Sequence, residues 1–528
     1  MMVWDGWQRY QHPQPATVAV VEKSDLPVAT VKTDDVPGHS AIAQQSSKSE
    51  AGKIIKVKTD LIDVEINTLG GDIQQLNLLK HPDRLDKNKS FALFEKGQET
   101  HNYVAQTGLL GADMPNHTSL FSSDQENYKL NDNADKLQVK LTAVGLTGIK
   151  VEKIITFHRD SYVVDVTYKI KNDTASAIKT SAYYQFIRDG ADPAGVSKMV
   201  PTFTGVAVYT EKDKFQKVSF SDIDKGKVKY PTDSNNGWIG ILQHYFVSAW
   251  IPDEKTKHEF FTRKLPNGLY SAGVILPVPA IAPGQTYEMT VPFYAGPSES
   301  KLNEIAPGLG LTVDYGWLTV VATPIFWTLS YIHSIVKNWG VAIIILTLLL
   351  KILFFPLSAA SYRSMAKMRQ VAPKLEKIKQ QYANDREQLN RAMMDLYKTE
   401  KINPLGGCLP VVIQIPVFIS LYWSILASVE MRYAPFFGWI TDLSAADPYY
   451  VLPVLMGLSM LLQSKLNPAP PDPMQAKIMK IMPIAFSVVF FFFPAGLVLY
   501  SLVNNALSIA QQWYITRSVE AKGVASKR

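Results

Sequence analysis

Cysteine is almost absent: Cys408 is the one instance in 528 residues. That excludes a disulfide framework and any zinc or iron–sulfur site built from cysteines. The 9 histidines are scattered, and none falls into H-E-x-x-H. No G-x-x-x-x-G-K-[ST] phosphate loop and no G-x-S-x-G nucleophile elbow occurs. The sequence thus carries none of these metal, nucleotide or serine-nucleophile motifs, and no cofactor is expected. Charge is scarce too, at 19% against roughly 25% in soluble domains. Up to Leu311 no apolar run approaches the ~18 residues of a membrane helix, whereas several do after Asn338. These absences exclude a wholly soluble protein, a disordered chain and a repeat solenoid. The length exceeds the ~150 residues of one domain several-fold, so more than one domain is expected.

What is present divides the chain. Residues 1–52 open on Met-Met-Val-Trp-Asp-Gly-Trp and continue without periodicity, which predicts a flexible linker. The opening reads either as the aromatic outer end of a membrane helix or as an ordinary surface start. From Lys53 to Pro297 the period is two: Val164, Val166, Tyr168 and Ile170 alternate with Asp165, Thr167 and Lys169. Gly70-Gly71, Asn172-Asp173, Asn236-Gly237 and Asn267-Gly268 supply turns. The pattern predicts a large antiparallel β-sandwich over 53–311. Between Thr312 and Val336 the period becomes helical, with Asp314 as a cap, an aromatic face at Tyr315, Trp317, Phe326, Trp327 and Tyr331, and a bend at Pro324. It reads as an amphipathic helix in the membrane interface over 312–337, or else as a core helix of the sandwich.

Five membrane spans are expected at about 338–360, 408–429, 450–462, 481–493 and 496–513, with Pro494-Ala495-Gly496 reversing the chain between the last two. The shorter ones imply a thinned bilayer or a polar cavity. Ten Lys and Arg side chains lie between Ala359 and Gly407, but only Arg432 lies between Glu430 and Tyr449. The basic loops, and a basic tail at 514–528, are therefore expected in the cytoplasm and the β domain on the opposite side. A helical hairpin is expected at 361–402, from the spacing of Met368, Val371, Leu375, Ile378 and Tyr382, a break at Ala383-Asn384, and a capping-box-like restart at Asn384 and Glu387. It reads either as a surface that meets apolar segments or as a solvated charged hairpin.

Lys351 is the sharpest single feature. At the middle of the expected first span, it either faces a hydrated cavity or snorkels to a surface. Thr347 shares its helical face, and Gln414, Asn504 and Asn505 are candidates for the same polar interior, although each is also suited to bonding a neighbouring helix.

The runs NWG (Asn338–Gly340), SMAKMR (Ser364–Arg369), NPLGGC (Asn403–Cys408), DPYY (Asp447–Tyr450), DPMQ (Asp472–Gln475) and FPAGLVLY (Phe493–Tyr500) resemble, in order and spacing, the YidC membrane protein insertases of Gram-negative bacteria. The resemblance implies a non-enzymatic insertase and chaperone of the inner membrane. It implies a periplasmic β-sandwich and a five-helix transmembrane core, whose groove opens to cytoplasm and lipid. Lys351 stands where that family usually has an arginine, and Thr347, Phe418, Met456 and Tyr500 fall in or near the path of the substrate. The hairpin, with Arg363, Lys367, Arg369, Lys374 and Lys377, would recruit nascent membrane proteins; the ribosome and the Sec translocon are implied partners. The family also begins with a membrane anchor, so a start assigned late or a shortened chain is expected here. Two rival readings remain: a secondary transporter or channel with Lys351 as its intramembrane site, and a sugar-processing enzyme in the β domain.

Overall fold

The computed structural model describes residues 26–27, 52–83, 86–97, 101–111, 113–145, 148–193, 203–254, 256–313, 318–382, 385–400, 409–466 and 473–525. Most of the expected linker, Asp314, Tyr315, Trp317, the Ala383-Asn384 break and Cys408 lie outside these residues. Two compact units emerge. One runs to Pro297 and takes in Lys301–Gly310; the other holds Ser298–Ser300 and everything from Leu311 onward.

The first unit consists, among the described residues, of a ten-stranded and a nine-stranded sheet. Alternation produces the core. In strand Val163–Asn172 the side chains of Val164, Val166, Tyr168 and Ile170 are buried, and Val164 sits between Phe157 and Phe293 on its neighbours. Phe94 and Phe186 of the ten-stranded sheet meet Trp250 and Phe293 of the other. Phe186 stacks on Trp250 at 5.3 Å between ring centroids, and Trp250 approaches Phe293 at 4.7 Å. Ladder pairing is antiparallel except where Ile54–Lys58 runs parallel to Asn127–Lys129. Gly70 and Gly71 form a turn with φ of +80° and +62°, a conformation that favours glycine. Asn172 ends its strand and opens the expected turn: its side-chain oxygen accepts from Thr174 N at 3.0 Å, and its buried amide donates to Ser176 O and Ile281 O at 2.8 Å. One short helix, α1 (Phe220–Asp224), starts from a capping box between Ser219 and Asp222.

Residues 301–310 belong to this unit for a packing reason. Leu302, Ala306 and Leu309 are buried against Tyr209, Trp238 and Leu242, and Trp238 Nε1 donates to Pro307 O at 3.1 Å. A fragment of residues 52–310 is therefore expected to fold as a soluble domain. Ending it at Pro297 removes Leu302 and Leu309, uncovers Tyr209, Trp238 and Leu242, and should cost about 3–6 kcal/mol, the burial of two leucines. Denaturant unfolding of both fragments checks this; equal midpoints would show that the segment does not belong to the domain.

The second unit is helical: α2 (Thr319–Val336), α3 (Trp339–Leu353), α4 (Phe355–Gln381), α5 (Arg386–Thr399), α6 (Leu409–Ala427), α7 (Val451–Leu466), α8 (Pro473–Phe490) and α9 (Ala495–Ala525). Among the described residues α2 alone is by itself long and apolar enough to cross a membrane. It buries Ala322, Ile325, Phe326, Leu329 and Ile332 in the core of this unit and exposes Val320, Trp327, Tyr331 and Ile335. It also continues through Pro324.

The expected first span, 338–360, is not one continuous helix: it is built from two, α3 and α4, bent by 67° at Phe354. Pro356 accounts for the break, since it lacks an N–H and its ring clashes with the preceding turn. Lys351 consequently stands in the last turn of α3, just before the break. The expected third and fourth spans are also longer as helices. The 16 residues of α7 rise ~24 Å and the 18 of α8 ~27 Å, because their polar ends continue the helix. The expected basic tail forms the end of α9, which is helical to Ala525. The restart after the hairpin is capped by Asp385, whose carboxylate accepts from Glu387 N and Gln388 N at 3.0 Å, rather than by Asn384.

Asp447 organises the segment between α6 and α7. Its buried carboxylate accepts from Trp439 Nε1, Tyr449 N and Leu452 N at 2.8–3.0 Å. The same segment ties down two helix starts: Asn338 Nδ2 donates to Phe436 O, and Gly496 N to Leu443 O.

Candidate functional site

The inward face of α3 is set by helical spacing. Ala342, Ile343, Leu346, Thr347 and Lys351 are buried, whereas Leu348, Leu349, Ile352 and Leu353 are exposed. A lysine on the buried stripe is costly unless it meets water or acceptors. Here it meets both. Lys351 Nζ donates to Ser508 Oγ of α9 at 2.6 Å, and a cavity of about 30 Å³ lies beside it, enough for one or two waters.

Four helices wall this cavity. Lys351 comes from α3, Ser358 and Tyr362 from α4, Gln414 and Val417 from α6, and Tyr500 and Asn504 from α9. The polar side chains are linked to one another. Gln414 Nε2 donates to Asn504 Oδ1, and the Tyr500 hydroxyl is hydrogen-bonded to Gln414. Ser508 Oγ donates to Asn504 O at 2.8 Å, and Tyr362 reaches Ser508 as well. Among the described residues no carboxylate pairs with Lys351. The site therefore presents one cation, two amides and two phenols around a small polar space. Ser508 gives its proton to Asn504 O and accepts from Lys351, so the pair is not set as a nucleophile with its base; the arrangement holds a charge and offers hydrogen bonds.

The structure brings together Lys351, Gln414, Asn504 and Tyr500. The remaining candidates lie elsewhere. Thr347 is on the same face, but its hydroxyl is engaged with Ile343 O at 2.7 Å. Asn505 points to α7, donating to Ser459 Oγ at 2.7 Å. Phe418 is half-buried, 6.4 Å from the Tyr500 ring between centroids, and Met456 is buried on α7 in the core shared with Tyr500.

On α4, Arg363, Lys367, Lys374 and Lys377 are exposed. Lys374 pairs with Glu400 at 2.6 Å, and Arg369 Nη2 donates to Lys465 O and Leu466 O at the end of α7.

Ser508, Ser358 and Tyr362 were not singled out from the sequence. A signal existed: Ser501, Asn504, Asn505, Ser508 and Gln512 recur at helical spacing along an otherwise apolar α9. In the first unit, the fully buried Lys153 and the neighbouring Asp72 were also missed, because each looks like an ordinary member of an alternating strand.

Comparison with known proteins places these features. The family model described as the YidC periplasmic domain matches residues 54–328, and that described as the 60Kd inner membrane protein matches residues 331–522. A protein of Methylobacillus flagellatus named membrane protein insertase YidC is 53% identical, over 100% of this chain and 96% of its own length. Its namesake in Nitrosospira multiformis is 52% identical, with the same shares of each chain covered. A solved structure of an active YidC insertase aligns with 88% of this chain and 95% of its own, at 19% identity and a TM-score of 0.41. On the strength of the two family models and the full-length relatives, the chain belongs to the YidC family of inner-membrane protein insertases.

Proposed function

We propose that this chain inserts newly made proteins into the inner membrane through the polar cavity walled by α3, α4, α6 and α9. The observation that carries the reading is a buried Lys351 side chain, without a carboxylate partner among the described residues, set beside a cavity lined with amides and phenols and large enough for water. A cation in surroundings of low dielectric attracts the acidic or polar tail of a nascent chain. The apolar segment then leaves sideways into lipid, and burial at ~25 cal/mol per Å² drives that step.

In this reading α3 with the start of α4, then α6, α7, α8 and α9, form a five-span membrane core. The α4–α5 hairpin and the C-terminus face the cytoplasm and the β-sandwich faces the periplasm, as the distribution of Lys and Arg requires. The exposed cations of α4 meet nascent membrane proteins, while the ribosome and the Sec translocon are partners on larger substrates. Purified protein in liposomes, offered a short single-span substrate, tests the reading. Insertion above that of empty liposomes is expected; solute flux without insertion would favour a transporter.

The hairpin is held by a small core, in which Val371, Leu375 and Tyr397 are buried with Met368, Met393 and Leu396 around them. Its amides are expected to exchange with deuterium faster than those of α9, whose starting residues Leu497–Tyr500 are buried in the large core. Equal protection of the two would show that the hairpin is fixed, not a mobile recruiter.

A further inference from the structure

We infer that Ser508 is a positioning residue that holds the Lys351 ammonium at the mouth of the cavity, aimed for an incoming carboxylate. The inference rests on the groove reading above and adds to it a residue that acts through Lys351.

The hydrogen-bond bookkeeping fixes the role. A serine hydroxyl has one proton, and Ser508 gives it to the carbonyl of Asn504, one turn earlier on α9, at 2.8 Å. Its lone pairs are left as acceptors, and Lys351 Nζ donates to them at 2.6 Å. Tyr362 of α4 reaches the same oxygen. The serine therefore cannot rotate its proton toward the lysine; it is an oriented acceptor at the meeting of three helices.

Ammonium carries three donors, so one held by Ser508 leaves two for water or an incoming carboxylate in the cavity that Lys351 lines. The position of Lys351 makes such a tether necessary. It lies in the last turn of α3, three residues before the bend at Phe354. A flexible four-carbon stem so close to a helix end readily snorkels toward the end of the bundle. Withdrawn in that way the cation would lie away from Gln414, Asn504 and Tyr500, and the groove would lose its charge without losing the residue.

The test compares Ser508→Thr with Ser508→Val, which differ at that site by the hydroxyl alone. Full-length protein in liposomes is given a single-span substrate whose translocated tail is either acidic or neutral. Ser508→Val should lower the insertion rate of the acidic tail by about three- to tenfold, the range of one ordinary hydrogen bond net of its exchange with water. The neutral tail should be unaffected, and Ser508→Thr should behave as the parent protein. In a Lys351→Ala background, Ser508→Val should cause no further loss. Equal loss for both tails, additivity with Lys351→Ala, or no difference between Thr and Val would overturn the inference. Should Lys351→Ala itself treat the two tails alike, the groove reading fails and takes this inference with it. Should Lys351→Ala discriminate while Ser508→Val does not, only the positioning role is lost.

Discussion

Lys153→Met is expected to destabilise the β-sandwich by about 3–5 kcal/mol, the usual cost of depriving a buried charge of its partner. Lys153 and Asp72 are 1% and 4% exposed, each too deep for water to share the load. Lys153 Nζ donates to the carbonyls of Gly70 and Gly71 at 3.0 and 2.7 Å, and Gln106 Nε2 donates to Asp72 Oδ2 at 2.9 Å. Burial pushes the Asp72 carboxyl up to about 7 against the pull of Lys153, and pushes Lys153 down to about 8 against the pull of Asp72. Desolvation is thus the larger effect on both, and the partner is what keeps the pair tolerable.

Methionine fills the lysine's volume without its charge, leaving Asp72 with the Gln106 amide as its hydrogen-bond donor. The folded-state pKa of Asp72 then lies still further above its unfolded value of ~3.9. The folded protein keeps a proton that the unfolded chain has released, so stability falls as the pH rises through 5 to 7. The parent's Asp72, at about 7, keeps its proton over most of that range too, so the deficit of Lys153→Met should be smallest in acid and open chiefly above pH 7, where the parent's carboxyl is charged and the variant's is not. Adding Asp72→Asn, which retains an acceptor for Gln106, should recover most of the loss and flatten its dependence on pH. Denaturant unfolding of residues 52–310 between pH 5 and 8 measures both effects. A single variant as stable as the parent at pH 8 would mean that Asp72 is neutral there and that the two do not act as a pair.

The contrast with what the sequence discloses is instructive. Alternation in Val163–Asn172 names the buried face because a strand has only two faces and water chooses between them. The same rule hides Lys153. It sits at a core position by parity, but nothing local announces that the turn at Gly70-Gly71 brings two carbonyls to its ammonium from 82 and 83 residues away in sequence. The bend after α3 was legible, since Pro356 is plain in the sequence, yet the long apolar run around it outweighed that single residue in the reading. DPYY carried a family resemblance without a reason. The structure supplies one, because Asp447 satisfies the indole of Trp439, the amide of Tyr449 just before α7 and that of Leu452 in its first turn. Lys351 was found because a cation in an apolar run is costly on its face. Ser508 was passed over because a hydroxyl in such a run can always bond its own helix backbone, and this one does so while serving a second partner.

Lys351→Ala is expected to slow insertion of substrates with acidic translocated tails by about tenfold or more, while neutral-tail substrates stay within about twofold. The asymmetry follows from what is removed. Two unit charges ~4 Å apart attract by about 4 kcal/mol at an effective dielectric of 20, and water in the cavity reduces that further. A remainder of about 1.4 kcal/mol suffices for a factor of ten. Neutral tails forfeit none of this, and their apolar spans still gain the energy of entering lipid. The cavity itself should survive the change, since Gln414, Asn504 and Tyr500 bond one another and Ser508 keeps Asn504 O. Lys351→Arg retains a long cation and should preserve insertion of both classes, although its planar fork meets Ser508 differently from an ammonium. Paired insertion assays on matched substrates decide the matter. Equal loss for acidic and neutral tails would mean that the residue supports the bundle and not the charge of the groove. Insertion as such would still stand in that case, because the sideways exit of an apolar segment needs a thin, wet path through the bilayer and not a cation.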